Sequence, residues 1–114
     1  MKQDHLAMSL LFDYYGELLT EKQKTCFDLY YNQDLSLREI ADEAGITRQG
    51  VHDMLLRAEA VLRSMEEKTG CIARAEKTRT ALASIISAAQ KLQAIPQSAE
   101  LAKSILDAAE QIKE

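Results

Sequence analysis

Residues 36–62 read SLREIADEAGITRQGVHDMLLRAEAVL, and the punctuation of this stretch decides the fold. Ser36 followed three residues later by Glu39 is a capping-box spacing, in which a hydroxyl and a carboxylate satisfy free backbone N–H groups at a helix start. Leu37, Ile40, Ala41 and Ala44 then recur at helical spacing as the inner face of a short helix. Gly45 stops that helix, because the residue after a helix often takes a left-handed conformation that glycine adopts without a Cβ penalty. Ile46 is expected to tuck into the core, and Thr47 to cap the next helix. Two helices that cross steeply need a small residue at their contact, and Ala41 supplies it. Ile40, Ile46, Val51 and Met54 give apolar positions before, within and after the turn. With four residues from Ala41 to Gly45 and six from Gly45 to Val51, the stretch is a helix-turn-helix.

Working outward, Val51, Leu55, Ala58, Leu62 and Met65 are spaced 4, 3, 4 and 3. That seam predicts a fourth helix extending well past the turn, to about Lys68, and closed by Gly70. Upstream, Met8, Leu11, Phe12, Tyr15, Leu18 and Leu19 form one stripe of a first helix running from about Asp4 to Leu19. Thr20 with Gln23 is another capping box, opening a helix over residues 21–31 that buries Cys26, Phe27 and Tyr30. Asn32-Gln33-Asp34 is a polar turn. Downstream, Leu82, Ile85, Ile86, Ala89 and Leu92 mark an alanine-rich helix over residues 73–94, broken at Ile95-Pro96. Ser98 is expected to cap a last helix carrying Leu101, Ile105, Ala108 and Ile112. The fold class is therefore all-α. Residues 1–69 form a helix-turn-helix domain with an extended fourth helix, and residues 70–114 a C-terminal helical tail. Alone the tail helices bury too little, so they are expected to pack on the fourth helix or on a second subunit, and a homodimer is expected.

The remaining composition narrows the function. No apolar run of the 114-residue chain approaches the roughly 18 residues of a membrane span. The N-terminal MKQDHLAMSLLFDYYGELL holds acids inside its apolar stretch and lacks a small-residue cleavage site, unlike a signal peptide. A cytoplasmic protein with no membrane partner is expected. Cys26 and Cys71 form no Cys-x-x-Cys pair and adjoin no histidine, so neither a metal site nor a disulfide is expected. The only two histidines, His5 and His52, stand far apart, and there is no Gly-rich phosphate loop. Adjacent acids such as Asp42-Glu43 and Glu66-Glu67 point to different sides of a helix and make no dyad. Neither a catalytic residue nor a cofactor is expected, and the chain does not read as an enzyme.

Residues 36–62 resemble sigma factor region four. Together with the preceding YYGELLTEKQKTCFDLYYNQDLS they resemble the YlxM family of bacterial helix-turn-helix proteins. The resemblance rests on Tyr14-Tyr15, on Leu19-Thr20-x-Lys22-Gln23, and on Leu29-Tyr30-Tyr31 before an acidic turn. Ser36-Leu37-x-Glu39-Ile40-Ala41 and Thr47-Arg48-Gln49-x-Val51 complete it, over roughly residues 5–70. It implies a DNA-binding or regulatory role. It also implies a link to the signal recognition particle, beside whose genes those of the family lie. The alternative it leaves open is an accessory protein that binds the particle's RNA or protein without reading DNA.

In a helix-turn-helix the exposed residues of the second helix meet the major groove. Here these are Thr47, Arg48, Gln49, His52, Asp53 and Leu56. Arg48 can bond guanine twice and Gln49 adenine twice, His52 can reach a base edge or phosphate, and Arg57 a phosphate. Arg38, with Lys22 and Lys24, offers further backbone contacts. Asp53 opposes this by repelling phosphate, and Gly50 weakens the helix that presents the face. Charge opposes it as well. The net value is −4 with pI about 5.2. Residues 1–69 hold 8 basic and 13 acidic residues, or −5, whereas residues 70–114 hold 6 and 5, or +1. Nucleic-acid affinity leans on phosphate neutralisation, so any such contact depends on local placement rather than on the overall field.

Overall fold

In the computed structural model, which describes residues 5–113, all regular structure is helical. Helix α1 (His5–Tyr15) tightens into a 3-10 turn (Gly16–Leu18), and α2 (Glu21–Phe27) widens into a π-helical turn (Asp28–Asn32). Helices α3 (Leu37–Ala44) and α4 (Arg48–Thr69) form the helix-turn-helix. Helix α5 (Cys71–Gln93), a 3-10 turn (Pro96–Ser98) and α6 (Ala99–Ile112) follow. The start expected at Asp4 lies outside the described residues. Two compact units result, one running to Ile72 and the other starting at Ala73.

The helix starts follow the side chains that the sequence offers. Thr20 and Ser36 each accept the N–H of the residue three positions on, while Gln23 and Glu39 reach back to the cap N–H, so both capping boxes are complete. Thr47 Oγ1 accepts the Gly50 N–H at 2.9 Å. Gly45 takes φ 70°, and its N–H and that of Ile46 both donate to the Ala41 carbonyl, which closes α3.

The core of the first unit lies between α1, α2, α3 and α4. Val51, Leu55, Ala58 and Leu62 of α4 are fully buried there, with Met8, Leu11, Tyr15, Leu19, Ile40 and Ala41. Phe27 stacks on Phe12 with ring centroids 5.0 Å apart, and Tyr31 lies against Phe27 at 4.6 Å. Adjacent Tyr30 and Tyr31 are both buried in the π-helical turn. Asp28 steadies it by accepting from Asn32 Nδ2 and Gln33 Nε2, each at 2.8 Å. Leu18, expected in the first stripe, is exposed, because α1 ends at Tyr15 and the tighter turn moves it off the inner face.

Only Gly70, at φ 62°, separates α4 from α5, and it has no side chain with which to cap α5. Residues at the end of α4 do so instead. Glu66 Oε1 accepts the Ile72 N–H at 3.0 Å and Thr69 Oγ1 the Cys71 N–H at 3.3 Å. The Tyr15 hydroxyl donates to Glu66 Oε1 at 2.5 Å and lies 2.7 Å from Thr69 Oγ1, so α1 is fastened to the same joint. Burial and this carboxylate hold the Tyr15 phenol above its usual pKa.

In the second unit the buried residues are all alanines: Ala89 on α5, and Ala102 and Ala109 on α6. Ser98 does not cap α6. Its hydroxyl instead donates back to the carbonyls of Leu92 and Ile95, tying the turn to α5. The seam expected on α6 stands outward, with Leu101 71%, Ile105 39% and Ile112 56% exposed.

Candidate nucleic-acid interface

The sequence of α4 builds its exposed start in steps. Thr47 fixes the first turn, and Val51, Leu55 and Ala58 anchor one side in the core. Arg48, Gln49 and Asp53 are left exposed in the first two turns, beside a half-buried His52. Gly50 belongs to this arrangement. A Cβ there would sit 3.1 Å from Thr47 Oγ1, the atom that accepts the Gly50 N–H. The residue that weakens the helix by propensity thus leaves room for its cap.

Four of the six proposed residues, Thr47, Arg48, Gln49 and His52, come together at the start of α4. Arg57 is exposed further along the same helix, and Arg38 stands apart, exposed on the first turn of α3. The face is partly self-occupied. Gln49 Nε2 donates to Asp53 Oδ1 at 3.0 Å, and His52 Nδ1 lies 3.9 Å from the same oxygen. Asp53 therefore competes with any base for the Gln49 amide. The i, i+4 spacing of Gln49 and Asp53 carries that signal in the sequence.

Sequence reasoning missed two features. Ile46 does not tuck into the core; it is 41% exposed, because the left-handed Gly45 turns the chain outward at the tip of the motif. It borders a hollow of about 330 Å3 with Leu29, Ile40, Met54, Cys26 and Ala44, the last also exposed rather than on an inner face. Burial raises the pKa of the Cys26 thiol. The second feature is the location of positive charge. Helix α5 carries Arg74, Lys77, Arg79 and Lys91 against Glu76 alone, whereas α3 carries Arg38 against Glu39, Asp42 and Glu43. Counting charge by helix rather than by half of the chain reveals it. Among the described residues no His, Cys, Asp and Glu side chains group so as to hold a metal ion, and no helix is long and apolar enough to cross a membrane.

These features define a helix-turn-helix protein. The chain belongs to the family described as "Putative helix-turn-helix protein, YlxM / p13 like", which matches residues 2–104. It is 43% identical to a UPF0122 protein of Desulforamulus reducens over 108 residues, covering 93% of this chain and 92% of that one. It is 40% identical to a UPF0122 protein of Thermoanaerobacter sp. strain X514 over 114 residues, covering 100% and 97%. A UPF0122 protein of Caldanaerobacter subterraneus is 51% identical over 72 residues, covering 63% and 62%. The family description rests on the fold and names no catalytic activity.

Proposed function

We propose that the chain is a regulatory nucleic-acid-binding protein of the cytoplasm that presents the start of α4 to the major groove of DNA as a homodimer. The observation that carries this reading is the exposed, Thr47-capped first turn of α4, which displays Arg48 and Gln49 beside His52. Arginine and glutamine are the side-chain types that pair with guanine and adenine edges, and on this reading Arg57 and Arg38 would add phosphate contacts. The likeness to sigma factor region four supports the same use of the helix. A dimer suits the repeated half-sites that helix-turn-helix proteins bind. Selection from a random duplex pool tests it: the enriched sequences should share a short motif, and Arg48→Ala should relax one position of that motif by about 1–3 kcal/mol. A pool that enriches no sequence with the parent would remove the base-reading role.

A second reading has its own support. The −5 charge of residues 1–69, the Gln49–Asp53 bond and the exposed Ile46 and Leu56 around the same face favour docking to a partner over groove readout. The chain would then be an accessory protein of the signal recognition particle, bound to its protein or RNA, a link that rests on the family resemblance. On that reading Arg48→Ala leaves DNA retention unchanged and abolishes capture of the purified particle.

A further inference from the structure

We propose that one face of α5 is a docking surface for the phosphate backbone of duplex nucleic acid, distinct from the base-reading start of α4. The inference rests on the nucleic-acid reading above and adds to it the positive charge that the first unit lacks.

Helix α5 carries Arg74, Lys77, Arg79 and Lys91 against Glu76, a net +3. The chain totals −4, so everything outside α5 sums to −7. Helix α2 comes next among the helices with +1, from Lys22 and Lys24 against Glu21. Placement sharpens this excess. Arg74, Lys77, Ala81, Ser84, Ala88 and Lys91 recur at spacings of 3, 4, 3, 4 and 3, which is one face of a helix, and all six are exposed. Arg79 lies on the other side, where it shares a groove with Leu82, Ala83 and Ile86, and it pairs with Glu76. The one acid of α5 is thus engaged off the basic face. Among the described residues neither Lys77 nor Lys91 takes part in a salt bridge.

The residues between the bases suit a phosphate backbone. Ala81, Ser84 and Ala88 are small enough to let a strand approach closely, and the Ser84 hydroxyl can donate to a phosphate oxygen midway. At 1.5 Å per residue the face runs about 25 Å from Arg74 to Lys91, enough to meet phosphates on both sides of a major groove about 12 Å wide. The acids elsewhere weigh little against it, because charges more than about 10 Å apart are largely screened at about 0.1 M salt. An anionic membrane fits less well. A helix lying on lipid needs a broad face of large apolar side chains, whereas Ile85 and Leu92 stand only along one edge of this face.

Retention of the full chain on a short duplex of random sequence, as salt rises from about 50 to 200 mM, tests the proposal, since it isolates backbone contact from base reading. Lys77→Gln with Lys91→Gln should make the slope of log affinity against log salt shallower by about 2, and weaken binding at least about tenfold at the lowest salt. Far-ultraviolet circular dichroism should not change, because both side chains are exposed and glutamine favours helix as lysine does. Lys77→Arg with Lys91→Arg should bind as the parent does. Lys103→Gln with Lys113→Gln, which removes the same charge elsewhere in the second unit, should leave the slope unchanged. An unchanged slope in the first variant, or an equal loss in this last pair, would overturn the α5 surface and leave base reading by α4 intact. A shallower slope in the first variant, with no sequence preference in the parent, would keep the α5 surface and remove the base-reading role. Retention of the parent on phosphatidylserine vesicles but not on duplex would overturn the proposal together with the nucleic-acid reading.

Discussion

Ala41 and Gly45 make the turn of the helix-turn-helix by different physics, and their variants should fail differently. Ala41 is 5% exposed between α3 and the core, so Ala41→Leu must displace packed neighbours and should cost about 1–3 kcal/mol. At Gly45 a Cβ would meet nothing within 4 Å, so the whole cost of substitution lies in the positive φ. Gly45→Val should be strongly destabilising, while Gly45→Asn, which tolerates the left-handed region, should recover most of the stability. Thermal melts separate these outcomes, and a Gly45→Asn as poor as Gly45→Val would show that something other than φ is at stake. Both positions were legible in the sequence because spacing and residue type alone dictate them. The Tyr15–Glu66–Thr69 joint was not legible, since it unites residues 51 and 54 positions apart that carry no local pattern. Tyr15→Phe should lower the melting temperature by about 4–8 °C. Tyr15 and Tyr31 also give an alkaline signature. Burial, aided by the nearby Glu66 and Glu59 carboxylates respectively, raises both phenols above their unfolded values. Stability should hold below about pH 10, where both states are protonated, and fall as pH rises beyond it, because the unfolded chain loses these protons first. Melts across pH 8–11 would show a smaller alkaline loss in Tyr31→Phe, and an equal loss would contradict the assignment.

At the level of elements, helix starts were more legible than helix faces. Ser36 and Thr20 act as caps because a capping box needs only neighbours in sequence, and Ser36→Ala should cost about 1 kcal/mol. Ser98 has the right residue type and the wrong surroundings. The 3-10 turn at Pro96 sends its hydroxyl back to Leu92 and Ile95 before α6 begins. On α6 the apolar positions form two stripes, one of large residues and one centred on Ala102 and Ala109, and periodicity alone ranks the larger side chains as inner. The observed burial reverses that order. The start of α4 gives a sharper test of cap against propensity. Gly50→Ala in an exposed helix should gain about 1 kcal/mol, but here the new methyl would press on the Thr47 cap at 3.1 Å. No net stabilisation is expected in a thermal melt. A rise of several degrees would mean that the cap can shift and that Gly50 is simply a weak point.

Across the whole molecule, charge sets the terms of any function. The first unit carries the helix-turn-helix on an acidic background, while α5 holds four of the chain's 14 basic residues against one acid. A protein built this way gains little from long-range attraction to nucleic acid and must rely on a few placed contacts. On the proposed function, those contacts come from the start of α4. The most direct measurement is equilibrium binding of the full chain to duplex DNA, and in parallel to the signal recognition particle's RNA, as salt rises from about 50 to 200 mM. With two to four phosphates engaged, log affinity for duplex DNA should fall against log salt with a shallow slope of about −2 to −4, and Arg48→Ala should weaken binding by about 1–3 kcal/mol. Absence of binding to either nucleic acid at about 50 mM salt, where electrostatic contacts are strongest, would contradict the account and leave protein docking as the use of the fold.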